Sequence, residues 1–126
     1  MAGSSASFHE AEDNLTAATR DMHRAIASLM EEFEAIDWYQ QRVDAAADDE
    51  LKSILAHNRD EEKEHAAMVL EWIRRRDPRL VEVLRAFLFT ERPITALEPS
   101  VAPRNGGRRA SASASFVALG SLRGGR

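Results

Sequence analysis

The sequence contains no cysteine. That absence excludes disulfides, thiolate zinc sites and iron–sulfur clusters, and it fits a reducing compartment. No run is long and apolar enough to span a bilayer. The first fifteen residues are polar and acidic and lack the hydrophobic core of a signal peptide, so the expectation is a soluble intracellular protein. There is no strand pattern and no internal repeat. Acidic residues are missing from one end: from Arg104 onward the chain holds five arginines (Arg104, Arg108, Arg109, Arg123 and Arg126) and no Asp or Glu. Residues 1–103 carry 12 basic and 21 acidic side chains, a balance of −9 within a total of −4. Such an acidic body favours cations and argues against nucleic acid as a partner. With 126 residues there is room for one small domain and a tail.

What is present is helical. Residues 1–12 read as a disordered N-terminus, and Asp13 or Asn14 is placed to cap a helix running to about Ala46. Its apolar residues, Leu15, Met22, Ile26, Leu29, Phe33, Ile36 and Val43, recur at mixed three- and four-residue steps. Asp48 or Asp49 can cap a second helix, from about Glu50 to Arg76, through a side-chain oxygen. Leu51, Ile54, Leu55, Val69, Trp72 and Ile73 mark its apolar side, and Arg74, Arg75 and Arg76 complement its dipole in the last turn. Asp77-Pro78 reads as the cap and first residue of a shorter helix to about Phe89. Pro93 stops further helix, and the helical domain is placed at residues 13–97. Residues 98–115, rich in Pro, Gly, Arg, Ala and Ser, read as a flexible linker. Residues 116–126 regain apolar character at Phe116, Val117, Leu119 and Leu122. Composition alone leaves a docking peptide and an accidental tail equally open.

Two long antiparallel helices joined by a tight turn bury a single seam. A hairpin of about ninety ordered residues is marginal alone, and each helix here is apolar over more than a narrow seam. The expectation is therefore that two hairpins pair into a four-helix arrangement.

Within the apolar side of the second helix stand Glu62 and His65, three residues apart and hence on one face. Glu32 lies likewise between Leu29 and Ile36 on the first helix. A buried carboxylate needs a compensating partner, and Glu plus Glu-x-x-His is half of the ligand set of a di-iron carboxylate bundle. The set occurs once, so a second copy of the chain would have to complete it. Tyr39, two turns beyond Glu32, is placed either beside the metal or as an ordinary core tyrosine. Glu31 and Glu34, with Trp38 one turn on, form either an acidic entrance for cations or an exposed acidic patch. His57, Glu61 and Glu64 share a face that is either a weak outer metal site or simply solvated. His9 and His23 have no carboxylate constellation around them.

Longer stretches carry a resemblance. Asp21-Met22-His23-Arg24-Ala25-Ile26, Met30-Glu31-Glu32-Phe33-Glu34-Ala35, Asp37-Trp38-Tyr39, His57-Asn58-Arg59-Asp60-Glu61-Glu62-Lys63-Glu64-His65-Ala66 and Leu70-Glu71-Trp72-Ile73-Arg74-Arg75 are similar to the encapsulated ferritins. So is Leu88-Phe89-Thr90-Glu91-Arg92-Pro93-Ile94. These are two-helix ferritin-like proteins housed in encapsulin nanocompartments, and the resemblance covers most of residues 13–97. It implies an all-α fold: a two-helix antiparallel hairpin plus a short third helix, dimerising into a ferritin-like four-helix bundle. It further implies a ring-shaped decamer built from dimers and an inter-subunit di-iron ferroxidase centre, with two iron ions per subunit pair held by Glu32, Glu62 and His65 of each chain. Tyr39 would lie close to that centre. Glu31, Glu34 and Trp38 would form a metal entrance, and His57, Glu61 and Glu64 an outer site. The segment from Phe116 to Gly124 is similar to cargo-loading peptides, which implies an encapsulin shell protein as partner and a cytoplasmic location inside its compartment.

The function expected is oxidation of Fe(II) to Fe(III) by dioxygen, supplying iron for storage in the shell. The alternatives are a non-catalytic metal-binding protein and a structural helical module docked by its tail. A rubrerythrin-like peroxide reductase is disfavoured, because no cysteine-ligated domain delivers electrons.

Overall fold

The computed structural model describes residues 7–98, and among them the secondary structure is entirely helical. The linker at 98–115, apart from its first residue, and the peptide at 116–126 lie outside the described residues, as do residues 1–6 of the N-terminal segment. Two long helices, α1 (Ala17–Ala45) and α2 (Asp49–Arg76), pack as a hairpin, and α3 (Pro78–Phe87) follows against α2.

Capping sets the boundaries. The start of α1 departs from the sequence expectation: Thr16, not Asp13 or Asn14, is the cap, its hydroxyl accepting from Thr19 N–H at 3.1 Å. Asp13 and Asn14 instead belong to a 3₁₀ turn, Glu12–Asn14, and the extended backbone of Leu15 separates that turn from the helix. Of the two candidates for α2, Asp48 is the cap and accepts from Leu51 N–H at 2.7 Å. At the other end Asp77 closes α2 and opens α3: its N–H donates to Arg74 C=O, and its carboxylate accepts from Leu80 N–H at 3.0 Å, with Pro78 at the first helical position. The α3 helix ends at Phe87, two residues before the expected limit. Residues 7–12 are not featureless. The Phe8 ring lies 4.5 Å from that of His23, and Arg20 donates to Glu12 C=O.

The seam between α1 and α2 is thin. Ala66 and Ile73, both on α2, are the buried apolar residues among those described. Apolar positions that the periodicity assigned to the core stand half-exposed, with Ile26 at 45 %, Phe33 at 57 % and Ile54 at 52 %. One hairpin offers one seam, and residues flanking it have nothing to pack on. At the end of α2, Glu71 accepts from Arg74 and Arg75, and both cations hold its carboxyl down at about 2. Arg76 stacks over Trp72 at 3.7 Å.

The stretch from Phe89 forms a separate unit. Phe89 takes φ 57° with its side chain fully exposed, and a 3₁₀ turn, Ile94–Ala96, follows Pro93.

Candidate metal centre

The helical repeat places Glu62 and His65 one above the other on α2, and α1 presents Glu32 opposite them. One donor atom from each of the three residues lies within 4.8 Å of the others. His65 Nδ1 is 3.2 Å from Glu62 Oε2 and 3.6 Å from Glu32 Oε2. Ala66, the neighbour of His65, is the small buried residue at this level of the seam. The side chains of Glu32 and Glu62 are 24 % and 20 % exposed, whereas that of His65 is 43 % exposed. The carboxylates are thus largely withdrawn and the cluster opens to solvent on its imidazole side.

The electrostatics follow from this crowding. A hydrogen bond between the two carboxyls raises Glu32 above the ordinary carboxylate value, and burial and the charge of Glu62 add to it. Glu62 is correspondingly lowered, first by its hydrogen bond with Glu32 and then by that with His65. The two acids titrate as one pair sharing a proton, with Glu62 the more readily ionised member. His65 is raised, first by its hydrogen bond to Glu62 and further by the charges of Glu62, Glu32 and Glu61. The atoms that take up protons here are those that would face a cation. A divalent ion can displace them and take two carboxylates and one imidazole, a donor set that suits iron(II) and similar borderline ions.

The remaining candidates are distributed around this cluster. Tyr39 is half-buried, with the Arg42 guanidinium 5.3 Å from its ring centroid. Glu31, Glu34 and Trp38 are exposed along α1, Trp38 at 49 %. His57 Nε2 lies 3.4 Å from Glu61 Oε1, and Glu64 is exposed on the same helix. Spacing gave no signal for Arg59 and Gln40, which the fold joins across the hairpin at 2.7 Å. A shallow groove of about 400 Å³ beside Trp72 contains none of the three donors, and its one acid, Asp21, is paired with Arg24 at 2.6 Å. Donor geometry, not concavity, singles out the candidate centre.

The sequence matches the model of the EncFtn-like family over residues 7–91. It is 64 % identical over 98 residues to the encapsulated ferritin-like protein of Rhodospirillum rubrum, covering 78 % of this chain and 70 % of that one. The ferritin-like protein of Thermotoga maritima is 54 % identical over 91 residues, 72 % of this chain and 80 % of its own. A shorter match, 47 % over 47 residues, links 37 % of this chain to 36 % of the encapsulin nanocompartment cargo protein EncC of Myxococcus xanthus. The crystal structure of a protein from Nitrosomonas europaea superposes with a TM-score of 0.68 at 63 % identity, over 69 % of this chain and 96 % of that one.

Proposed function

Since this chain belongs to the EncFtn-like family, we propose that it is a ferroxidase, oxidising Fe(II) with dioxygen at a di-iron site shared by two copies. The observation that carries this reading is the cluster of Glu32, Glu62 and His65, whose donors converge within 4.8 Å yet open on one side. Half-exposed Ile26, Met30 and Phe33 lie on α1, the helix that carries Glu32. A second hairpin laid over these residues would cover them and bring a second donor set.

In that pairing Glu62 from each copy bridges the two substrate ions, and Glu32 and His65 complete the protein ligands of each. The carboxylates offset the repulsion between two like charges held close together. Each ion would then have four protein ligands, the two Glu62 carboxylates, one Glu32 and one His65, leaving positions open for dioxygen, which accepts the electrons given up by Fe(II). His65 turns Nδ1 toward Glu62 Oε2 at 3.2 Å, and that hydrogen bond would give way when the nitrogen takes up an ion. Tyr39 would stand near this centre. Glu31, Glu34 and Trp38 would form the surface by which Fe(II) approaches, and His57, Glu61 and Glu64 a weaker outer site.

The pairs would assemble further into a decameric ring. Residues 116–124 would dock this assembly on the inner wall of an encapsulin shell within the cytoplasm. Two relatives support that location by name: the encapsulated protein of R. rubrum and the nanocompartment cargo protein of M. xanthus. Apolar side chains in a groove give such a peptide its affinity, the linker at 98–115 gives it reach, and several tails on one assembly add avidity. Fe(III) released from the centre would mineralise in the shell.

The test is aerobic Fe(II) oxidation by the purified protein, followed by Fe(III) absorbance beside a Glu62→Ala variant. Oxidation well above the buffer rate, suppressed at least tenfold by the substitution, is expected from the loss of a metal ligand. Assembled protein that oxidises no faster than buffer would leave a metal-binding module without catalysis.

A further inference from the structure

Away from the donor cluster, one polar chain crosses the hairpin. Arg59 of α2 donates from Nη1 to Gln40 Oε1 of α1 at 2.7 Å. The rest of its guanidinium is tied to Asp60, at 3.0 Å from Nε and 3.3 Å from Nη2. Asp60 in turn accepts from Lys63 Nζ at 3.0 Å, and Gln40 donates to Asp44 at 3.0 Å. Both sides of the crossing bond are therefore anchored on their own helices. The Arg59 side chain is 21 % exposed, whereas its partners Gln40 and Asp60 stand exposed at the surface.

The candidate centre needs such a device. Apolar contact is non-directional, and the buried side chains Ala66 and Ile73 lie on the far side of His65 from the turn. Among the described residues, no apolar side chain between the turn and Glu62 is fully buried. A slip of one residue would rotate the face of α2 by about 100° and carry Glu62 and His65 away from Glu32. Arg59 lies three residues, close to one helical turn, before Glu62, so it holds the rotation and height of α2 beside the donors.

We propose that Arg59, braced on Gln40, is a positioning residue for the metal centre. It sets the register of α2 on α1 that brings Glu62 and His65 to Glu32, and it touches no metal itself. This inference rests on the reading of those three residues as metal donors.

The experiment uses the full chain and Co(II) alone as the probe. Its affinity is measured by titration and its ligand field by the visible absorption of the bound ion. Arg59→Ala and Gln40→Ala should each weaken Co(II) about 10- to 100-fold, the range found when residues that orient metal ligands are removed. The visible band should shift while helix content holds. Gln40→Glu, which keeps an acceptor for Arg59 but loses the bond to Asp44, should retain more affinity than Gln40→Ala. Asp77→Ala, which removes the α3 cap far along the chain, should lower the melting temperature without moving the Co(II) affinity. If Arg59→Ala does not fold, the two Gln40 variants carry the comparison.

Affinity and spectrum unchanged in Arg59→Ala or in Gln40→Ala would overturn the proposal. So would a loss in Gln40→Glu equal to that in Gln40→Ala, or an affinity that tracks melting temperature across all variants. Glu62→Ala is titrated alongside. If wild type binds no Co(II), or Glu62→Ala binds it equally well, the donor assignment fails and takes the inference with it. Glu62-dependent binding that ignores Arg59 and Gln40 removes the inference alone.

Discussion

His65 is drawn two ways, because coordination needs its neutral imidazole whereas the carboxylates around it favour the imidazolium. Its hydrogen bond to Glu62, with the charges of Glu62, Glu32 and Glu61, raises its pKa above the ordinary 6.5. The sign for the proposed metal binding follows: above that raised value the site would bind without proton competition, and as the pH falls through it a proton would have to be expelled for each ion taken up. Affinity should then drop by about tenfold per pH unit. Its side chain is 43 % exposed, so solvent and salt weaken the effect. Below this range the proton shared by Glu32 and Glu62 adds a second competition. Co(II) titrations between pH 5.5 and 8.5 should show the decline beginning above pH 6.5, with the upper branch absent in His65→Ala. A flat profile through neutrality would remove His65 from the ligand set.

Among the elements, α2 was read most closely from sequence and α1 less so. Asp48 caps α2 and Asp77-Pro78 divides α2 from α3, because each aspartate directly precedes a helical run and its carboxylate meets the third N–H beyond it. At α1 the same chemistry misled: Asp13 and Asn14 are good capping residues, but Leu15 is extended and Thr16 takes the cap. A cap is chosen by where the chain turns, which local composition does not specify. Spacing also brought Glu62 and His65 onto one face, since helix periodicity is enough for that, and the di-iron ligand pattern matched Glu32 of the other helix to them. The Arg59–Gln40 bond was not legible, because its residues lie 19 apart and meet only when the register of two helices is known. The caps make a measurable claim of their own. Asp48→Ala leaves Leu51 N–H without its acceptor and should destabilise the fold by about 1 kcal/mol, read from denaturant midpoints. No change in midpoint would mean that water or a neighbour replaces the carboxylate.

At the scale of the whole molecule the apolar periodicity and the burial disagree, and the disagreement is informative. Ile26, Phe33, Leu51 and Ile54 obey helical spacing yet are between 45 % and 57 % exposed. Covering the exposed half of one such side chain contributes about 1 kcal/mol, half of what full burial gives, so several together can support association. Phe33→Asp should therefore abolish the assembled species in sedimentation experiments, whereas an unchanged mass would show that pairing uses another face. Under the proposed arrangement, the open side of the donor cluster has a kinetic consequence. A chain that carries half of a centre has no catalytic power of its own, so activity is set by encounter between copies and is of higher than first order in protein. Newly made chains would be inert while dilute and become active where they are gathered together, which confines a reaction that consumes oxygen and deposits mineral to the place where the product can be held.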